Sequence, residues 1–179
     1  MSVEEIEDLI GEYGNILYKF CIKLTQNKED AEDLYQQTFL KATELRHKIN
    51  KNSSPKSFLV SISIKLWKNN IRKNNRRNFI APTINIDEHE YLEIKDTSFD
   101  IELDLLHTEE KNYVNRAIEN LKDKYKIVII MYYTADMSID EISKSLIIPK
   151  GTVKSRLHKA RNLIKDELEA IGYERKRCW

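Results

Sequence analysis

Glycine and proline are scarce in this chain. Four glycines (Gly11, Gly14, Gly151, Gly172) and three prolines (Pro55, Pro82, Pro149) serve 179 residues. Hairpins need glycine-containing or Asn-Gly turns, and none is visible. Apolar residues recur instead at helical spacing, which predicts an all-α protein. Cysteine is scarcer still. Cys21 and Cys178 lie near opposite ends without a metal-like spacing, which excludes a disulfide framework and argues against zinc. Cys21 reads as a core residue and Cys178 as a tail residue. The four histidines, His47, His89, His107 and His158, are scattered. There is no P-loop, no Cys-x-x-Cys pattern and no nucleophile motif. The reading is therefore no enzyme, no cofactor and no metal site. No apolar run approaches membrane-spanning length, and the start MSVEEIEDL is acidic, unlike a signal peptide. The expectation is a cytoplasmic protein with no direct membrane insertion.

What the chain has is charge, and it is segregated. A hydrophobic share of 41% and a charged share of 33% place it among soluble globular proteins. The net charge of +1 conceals the pattern. Residues 1–44 hold ten acids and four bases, residues 45–86 hold ten bases and no acid, and residues 87–104 hold eight acids and one base. Separate surfaces for separate partners follow from such blocks.

Ile6, Leu9, Ile10, Tyr13, Ile16, Leu17, Phe20 and Leu24 fall on one stripe, so a helix is expected over 3–25. Asn27 suits an N-cap, with acids in the turn after it. The next helix turns Ala31, Leu34, Tyr35, Thr38, Phe39, Ala42 and Leu45 inward and shows Asp33, Gln36, Gln37 and Lys41 outward. Residues 47–54 are polar and read as a loop. Ser54 and Pro55 then open a third helix, expected to run to about Arg77 and to bury Phe58, Leu59, Ile62, Leu66 and Ile71, with Trp67 beside that stripe. Its end, KNNIRKNNRR, is basic on several faces, which suits solvent or a polyanion. Residues 79–104 lose the period and read as an acidic linker between domains. The period returns from Leu105. Tyr113, Val114, Ala117, Ile118 and Leu121 form one helix; KYKIVIIMYYTA (124–135) has the propensity of a strand, but a buried helix is preferred because it leads directly into a helix-turn-helix that needs a scaffold helix behind it.

The stretch 138–165 carries the clearest motif. Ser138 and Glu141 form a capping box ahead of Ile139, Ile142 and Leu146. Pro149 suits a helix entrance. A second helix follows, with Val153, Leu157, Ala160, Ile164 and Leu168 inside. From Pro149 to Lys165 there are six Lys or Arg and no acid. Two short helices, a tight turn and a basic second helix are what a DNA-binding helix-turn-helix needs. A solvated basic face on an ordinary helical hairpin has the same periodicity. The small Gly151, Thr152 and Ser155 favour DNA, because they let backbone approach phosphate at a helix N-terminus.

DAEDLYQQTFLKATE (30–44), followed by SPKSFLVSISIKLWKNNIRKNNRR (54–77), resembles the second conserved domain of bacterial sigma factors. LKDKYKIVIIMYYTADMSIDEISKSLIIPKGTVKSRLHKARNLIKDEL (121–168) resembles their fourth. With only an acidic linker between, the layout is similar to that of the extracytoplasmic function group of sigma-70-type factors. The implied division is a domain over 1–78, a linker over 79–104, a helix-turn-helix domain over 105–172 and a basic tail over 173–179. The resemblance implies a dissociable subunit that directs RNA polymerase to promoters. Asp33, Gln36 and Gln37 match the positions that grip the clamp helices of the largest polymerase subunit. Lys51, Asn52, Ser53, Lys65, Lys68, Arg72, Lys73, Arg76 and Arg77 match the region that recognises the -10 element, opens the duplex and follows the backbone. Lys65 stands where the family often has Asn, and an ammonium lacks the paired donor and acceptor of a carboxamide. Lys150, Gly151, Thr152, Lys154, Ser155, Arg156 and Lys159 match the helix that reads the -35 element. The flap of the second-largest subunit, promoter DNA and an anti-sigma factor, often membrane-bound in this group, complete the implied partners. A stand-alone helix-turn-helix regulator would explain 138–165. It would leave the face at 30–44 and the basic helix at 54–77 without a use.

Overall fold

The structure, a computed structural model, describes residues 3–45, 54–80 and 111–171. Lys51, Asn52 and Ser53, the linker beyond Ile80 and the tail with Cys178 lie outside the described residues. Every regular element among the described residues is an α-helix. They are α1 (Val3–Thr25), α2 (Lys28–Glu44), α3 (Pro55–Ile80), α4 (111–119), α5 (Asp123–Tyr133), α6 (Ile139–Leu146) and α7 (Lys150–Ala170).

Helices α1 to α3 pack as a three-helix unit. Asn27 separates the first two as expected: its backbone is extended, and its side-chain oxygen accepts from the Asp30 amide at 3.0 Å. Gln26, at a φ of 63°, makes the bend before it. Leu17, Phe20 and Leu24 from α1, Leu34 from α2, and Leu59 and Val60 from α3 are fully buried. Each such side chain contributes about 1.5–3 kcal/mol by leaving water. Two hydroxyls sit in this core without penalty. Ser63 donates to the Leu59 carbonyl (2.9 Å) and accepts from Thr38 across α2 and α3 (3.1 Å), and the Thr38 hydroxyl also lies 2.7 Å from the Leu34 carbonyl. Cys21 is buried beside them, and burial pushes its thiol up to about 12 despite a bond from Ser63. Trp67 belongs to the core rather than beside it, while Phe58, Leu66 and Ile71 are half-buried at its margin. Helix α3 runs to Ile80, past the expected end at Arg77. No glycine or proline intervenes before Pro82 to stop it.

The C-terminal unit is built around α5. Ile127, Val128, Ile129, Ile130 and Met131 are all buried, so the middle of this helix is enclosed on every side. All-round burial explains why a segment of strand-forming residues is helical here. Lys126 is 7% exposed, and burial lowers its pKa against the opposing charges of Asp123 and Glu119. On α4, Tyr113 and Val114 are exposed, contrary to expectation. Burial begins only at Ala117, so the first turn of that stripe is left uncovered.

The two units touch. Helix α3 packs on α6 and α1 on α5, and the buried side chains of both units join in one core. No described helix is long and apolar enough to cross a membrane.

Candidate nucleic-acid and polymerase interfaces

The helix-turn-helix forms as its sequence requires. The Ser138 hydroxyl accepts from the Glu141 amide (3.3 Å), and a Glu141 carboxylate oxygen accepts from the Ser138 amide (2.9 Å). The turn after α6 is stitched by Ile148 N–H to the Ser143 carbonyl (3.1 Å) and by the Ser143 hydroxyl to the Ile148 carbonyl (2.6 Å). Ile147 caps α6 in the left-handed region, at φ 55°, with its side chain 91% exposed. Pro149 stands at the N-cap of α7, one position ahead of the expected first turn.

Helix α7 buries Val153, Leu157 and Ala160 and exposes the opposite side. Lys150, Gly151, Lys154, Ser155 and Lys159 are exposed, whereas Thr152 and Arg156 are half-buried at the margin. Nothing lies within 4 Å of where a Cβ on Gly151 would be, so this turn of backbone is open to an approaching surface. Lys150 pairs with Asp140 at 2.5 Å, linking the two helices of the motif. Sequence reasoning passed over two residues on the outward stripe. His158 and Asn162 are exposed in line with Gly151 and Ser155, and the Asn162 amide is 3.2 Å from His158 Nδ1. Spacing of 4, 3 and 4 from Gly151 could have found them, because that is one helix face. Arg161 is used differently: its guanidinium lies over Tyr132 and Tyr133, 5.5 and 5.6 Å from the ring centres, and donates to Tyr133 Oη at 3.0 Å.

On α3, Lys65, Lys68, Arg72 and Arg76 are exposed and recur after 3, 4 and 4 residues, a single stripe. Lys73 and Arg77 are exposed beside it. On α2, Asp33, Gln36 and Gln37 are exposed on the side away from the core, and Leu40, 67% exposed, continues their face by one turn. Leu40 was not singled out by the sequence; an apolar residue one step off the buried stripe looks like core until packing is seen. Beside Gln36 lies a shallow cleft between α1 and α2, lined by Gly14, Asn15, Tyr18, Glu32 and Tyr35. A Cβ on Gly14 would come within 2.8 Å of Tyr35 Oη, so glycine keeps the two helices close there.

Polar contacts between described residues join the two units, and the following have no local signature. Lys56 Nζ donates to the Asp136 carbonyl at 2.7 Å, and Ser57 Oγ donates to the second carboxylate oxygen of Glu141 at 2.9 Å. At the other side of the molecule, Lys23 Nζ donates to Asn115 Oδ1 at 2.5 Å. Burial works against the ionised form of Glu141. Bonds from the Ser138 amide and hydroxyl and from Ser57, with Lys56 nearby, outweigh it and hold the carboxyl below its ordinary value. The stability it contributes is present above the unfolded pKa and is lost as pH falls through the folded one. Among the described residues, no group of histidine, cysteine and carboxylates is arranged to hold a metal.

Residues 9–77 match the family described as Sigma-70 region 2, and residues 111–164 match Sigma-70, region 4. The chain is 28% identical to the ECF RNA polymerase sigma factor SigW of Bacillus subtilis, over 92% of this chain and 89% of that one. It is 26% identical to the RNA polymerase sigma factor HrpL of Pseudomonas syringae pv. syringae, over 93% and 89%. Among solved structures it resembles the sigma factor RpoE of Bartonella quintana, crystallised with the anti-sigma factor NepR. The TM-score is 0.74 at 23% identity, covering 91% of this chain and 98% of that one. CnrH, solved with the cytosolic domain of CnrY, matches with a TM-score of 0.67 at 16% identity, over 94% and 90%. Region 2 and region 4 lie in this order on a chain whose regular elements, among the described residues, are all helices, and SigW and HrpL are each covered over 89% of their length. The protein therefore belongs to the extracytoplasmic function group of the sigma-70 family: it is an alternative sigma factor, not an enzyme, and it directs promoter-specific transcription.

Proposed function

We propose a division of labour among three surfaces. The outer face of α2, with Asp33, Gln36, Gln37 and Leu40, docks on the clamp helices of the largest subunit of core RNA polymerase. The stripe Lys65, Lys68, Arg72 and Arg76 on α3, with Lys73 and Arg77, follows the DNA backbone at the -10 element, where Lys51, Asn52 and Ser53 contribute to melting. The outward side of α7, from Lys150 through Gly151, Thr152, Lys154, Ser155, Arg156 and Lys159, reads the -35 element in the major groove. The C-terminal unit also meets the flap of the second-largest subunit. The observation that carries this reading is the pair of exposed basic stripes on helices of two separate units, with an acidic and amide-rich face on a third helix.

Cations spaced by one turn suit a polyanion, because each neutralised phosphate releases counterions. An open helix N-terminus with small residues suits groove entry. One similar structure is a sigma factor in complex with an anti-sigma factor, which supports an anti-sigma partner here, one that is membrane-bound. The place of action is the cytoplasm, where polymerase and promoters are. Replacing Asp33 and Gln36 together by Ala should weaken core binding roughly tenfold, about 1.4 kcal/mol, while promoter-duplex binding by the free chain is unchanged. Unaltered core affinity in a pull-down titration would move the polymerase face elsewhere.

A further inference from the structure

We propose that Arg161 of α7 and Tyr133 of α5 form a two-donor site for a phosphodiester of the promoter duplex, gripping one strand beside the -35 element. The inference rests on the -35 assignment of α7 above. The two residues are 28 apart in sequence and meet at the surface, where both are exposed. Arg161 Nε donates to Tyr133 Oη at 3.0 Å. The guanidinium lies 5.5 Å from the centre of the Tyr132 ring and 5.6 Å from that of Tyr133. The two rings stand edge to face, 5.0 Å apart at 76°. Three contacts thus hold one guanidinium, and none of them carries a negative charge. Among the described residues, no carboxylate lies within ion-pair distance of Arg161. Lys150 and Lys165 on the same helix differ, since they pair with Asp140 and Glu169. Arg161 is therefore a cation fixed in direction and left unneutralised. Of its five N–H donors only the one on Nε is used, and the four on the Nη atoms are left for an acceptor. Tyr133 Oη accepts from Arg161, so its own proton is available to the same acceptor.

The place of this pair on α7 says which acceptor it meets. A helix lying in the major groove turns its outward stripe to base edges and its two flanks to the two backbones. The outward stripe here is Gly151, Ser155, His158 and Asn162. Lys154 and Arg161 share one flank of it, because seven residues are close to two full turns. Lys159 lies on the other flank. Along the axis Lys154 and Arg161 are about 10 Å apart, at 1.5 Å per residue. They make a row that runs beside a single strand, and Tyr133 brings the end of α5 to the same row. A lysine would supply the charge. It would not lie flat on two rings, nor aim two parallel N–H groups at one phosphate. The tyrosines give Arg161 the direction that a carboxylate would give it, without cancelling its charge. A side chain already ordered loses less freedom when the strand arrives.

The test uses the holoenzyme and a set of promoter duplexes, each with a single uncharged methylphosphonate at one position along either strand of the -35 region. Where the modification falls opposite Arg161, the wild type should bind about five- to tenfold more weakly than to the unmodified duplex. Arg161→Gln should bind the unmodified duplex more weakly by a similar factor. It should be indifferent to the methylphosphonate at that one position and remain sensitive at the others. Its log–log salt slope should fall by about 0.9, the share of one phosphate. Tyr133→Phe keeps the ring and removes the hydroxyl. It should bind the unmodified duplex about threefold more weakly, with the salt slope kept and the loss confined to the same position. Both replaced side chains are exposed, and an unchanged helical signal checks that each variant folds. An Arg161→Gln holoenzyme as sensitive as the wild type at every position would overturn the site. A Tyr133→Phe holoenzyme that binds like the wild type would overturn its second donor. If base substitutions across the -35 element cost the wild type nothing, α7 does not read that element and the site falls with that assignment. If they cost it dearly while every methylphosphonate acts alike on wild type and Arg161→Gln, the Arg161 site alone falls.

Discussion

The two basic helices invite comparison, because each carries a row of cations and the proposal gives the two rows different work. On α3 the row is made of long side chains alone: Lys65, Lys68, Arg72 and Arg76 on one stripe, with nothing small between them on that side except Asn69. On α7 the exposed side mixes Lys150, Lys154 and Lys159 with Gly151 and Ser155. Long cations keep a polyanion at arm's length and follow its charge. Small residues let a helix backbone close to within reach of base edges. The difference is the one expected between a surface that tracks a strand and one that enters a groove, as proposed for α3 and α7.

That contrast breaks most sharply at Gly151. The space around it is open, so Gly151→Leu should leave the fold intact and raise helix propensity, yet obstruct the groove. Promoter-specific transcription should fall about a hundredfold, roughly 2.7 kcal/mol, with a melting temperature no lower than before. Run-off transcription beside a thermal melt checks it, and full activity would make α7 a tracking surface like α3. On α3 the effect should be smaller and of another kind. Replacing Lys65, Arg72 and Arg76 by Ala should lower the log–log salt slope of holoenzyme–promoter binding by about two to three units, near 0.7–0.9 per phosphate. A loss of sequence discrimination without a change of slope would assign base reading to that stripe. The smallest effect concerns Ile147. A β-branched residue in the left-handed region is strained, and glycine is the usual occupant of such a cap. Ile147→Gly should stabilise the C-terminal unit by about 1 kcal/mol, seen as a higher melting temperature. No gain would mean that the exposed side chain is held by contacts that offset the strain.

The helices and their caps were legible because the signals are local. Asn27, Ser138 with Glu141, and Ser54 with Pro55 are read within four residues. The helical state of α5 was legible only by inference from its neighbours, since its Ile and Val content favours a strand. The exposed side chains of α2 and α3 were legible as the complement of a buried stripe. The joining of the two units was not. Lys56 and Asp136 are 80 residues apart, and Ser57 and Glu141 are 84 apart. No periodicity or motif links a serine in one helix to a carboxylate already committed to a cap in another. Lys126 was missed for a similar reason: a lysine inside an apolar run looks like its one solvent-facing position until α5 is seen to be surrounded. Tyr113 and Val114 failed in the opposite direction, because periodicity gives the direction of a stripe but not how far its neighbours extend.

The hydroxyl pair of Thr38 and Ser63 has a mechanical meaning. Apolar surfaces slide over one another with little preference, but a hydrogen bond in a dry core tolerates little slip. It works as a key in a shaft, fixing the angle about which α2 and α3 are rotated against each other. Asp33, Gln36 and Gln37 on one helix and Lys65, Lys68 and Arg72 on the other are then set at a constant bearing. A tilt of α2 would then turn the row of cations on α3 with it.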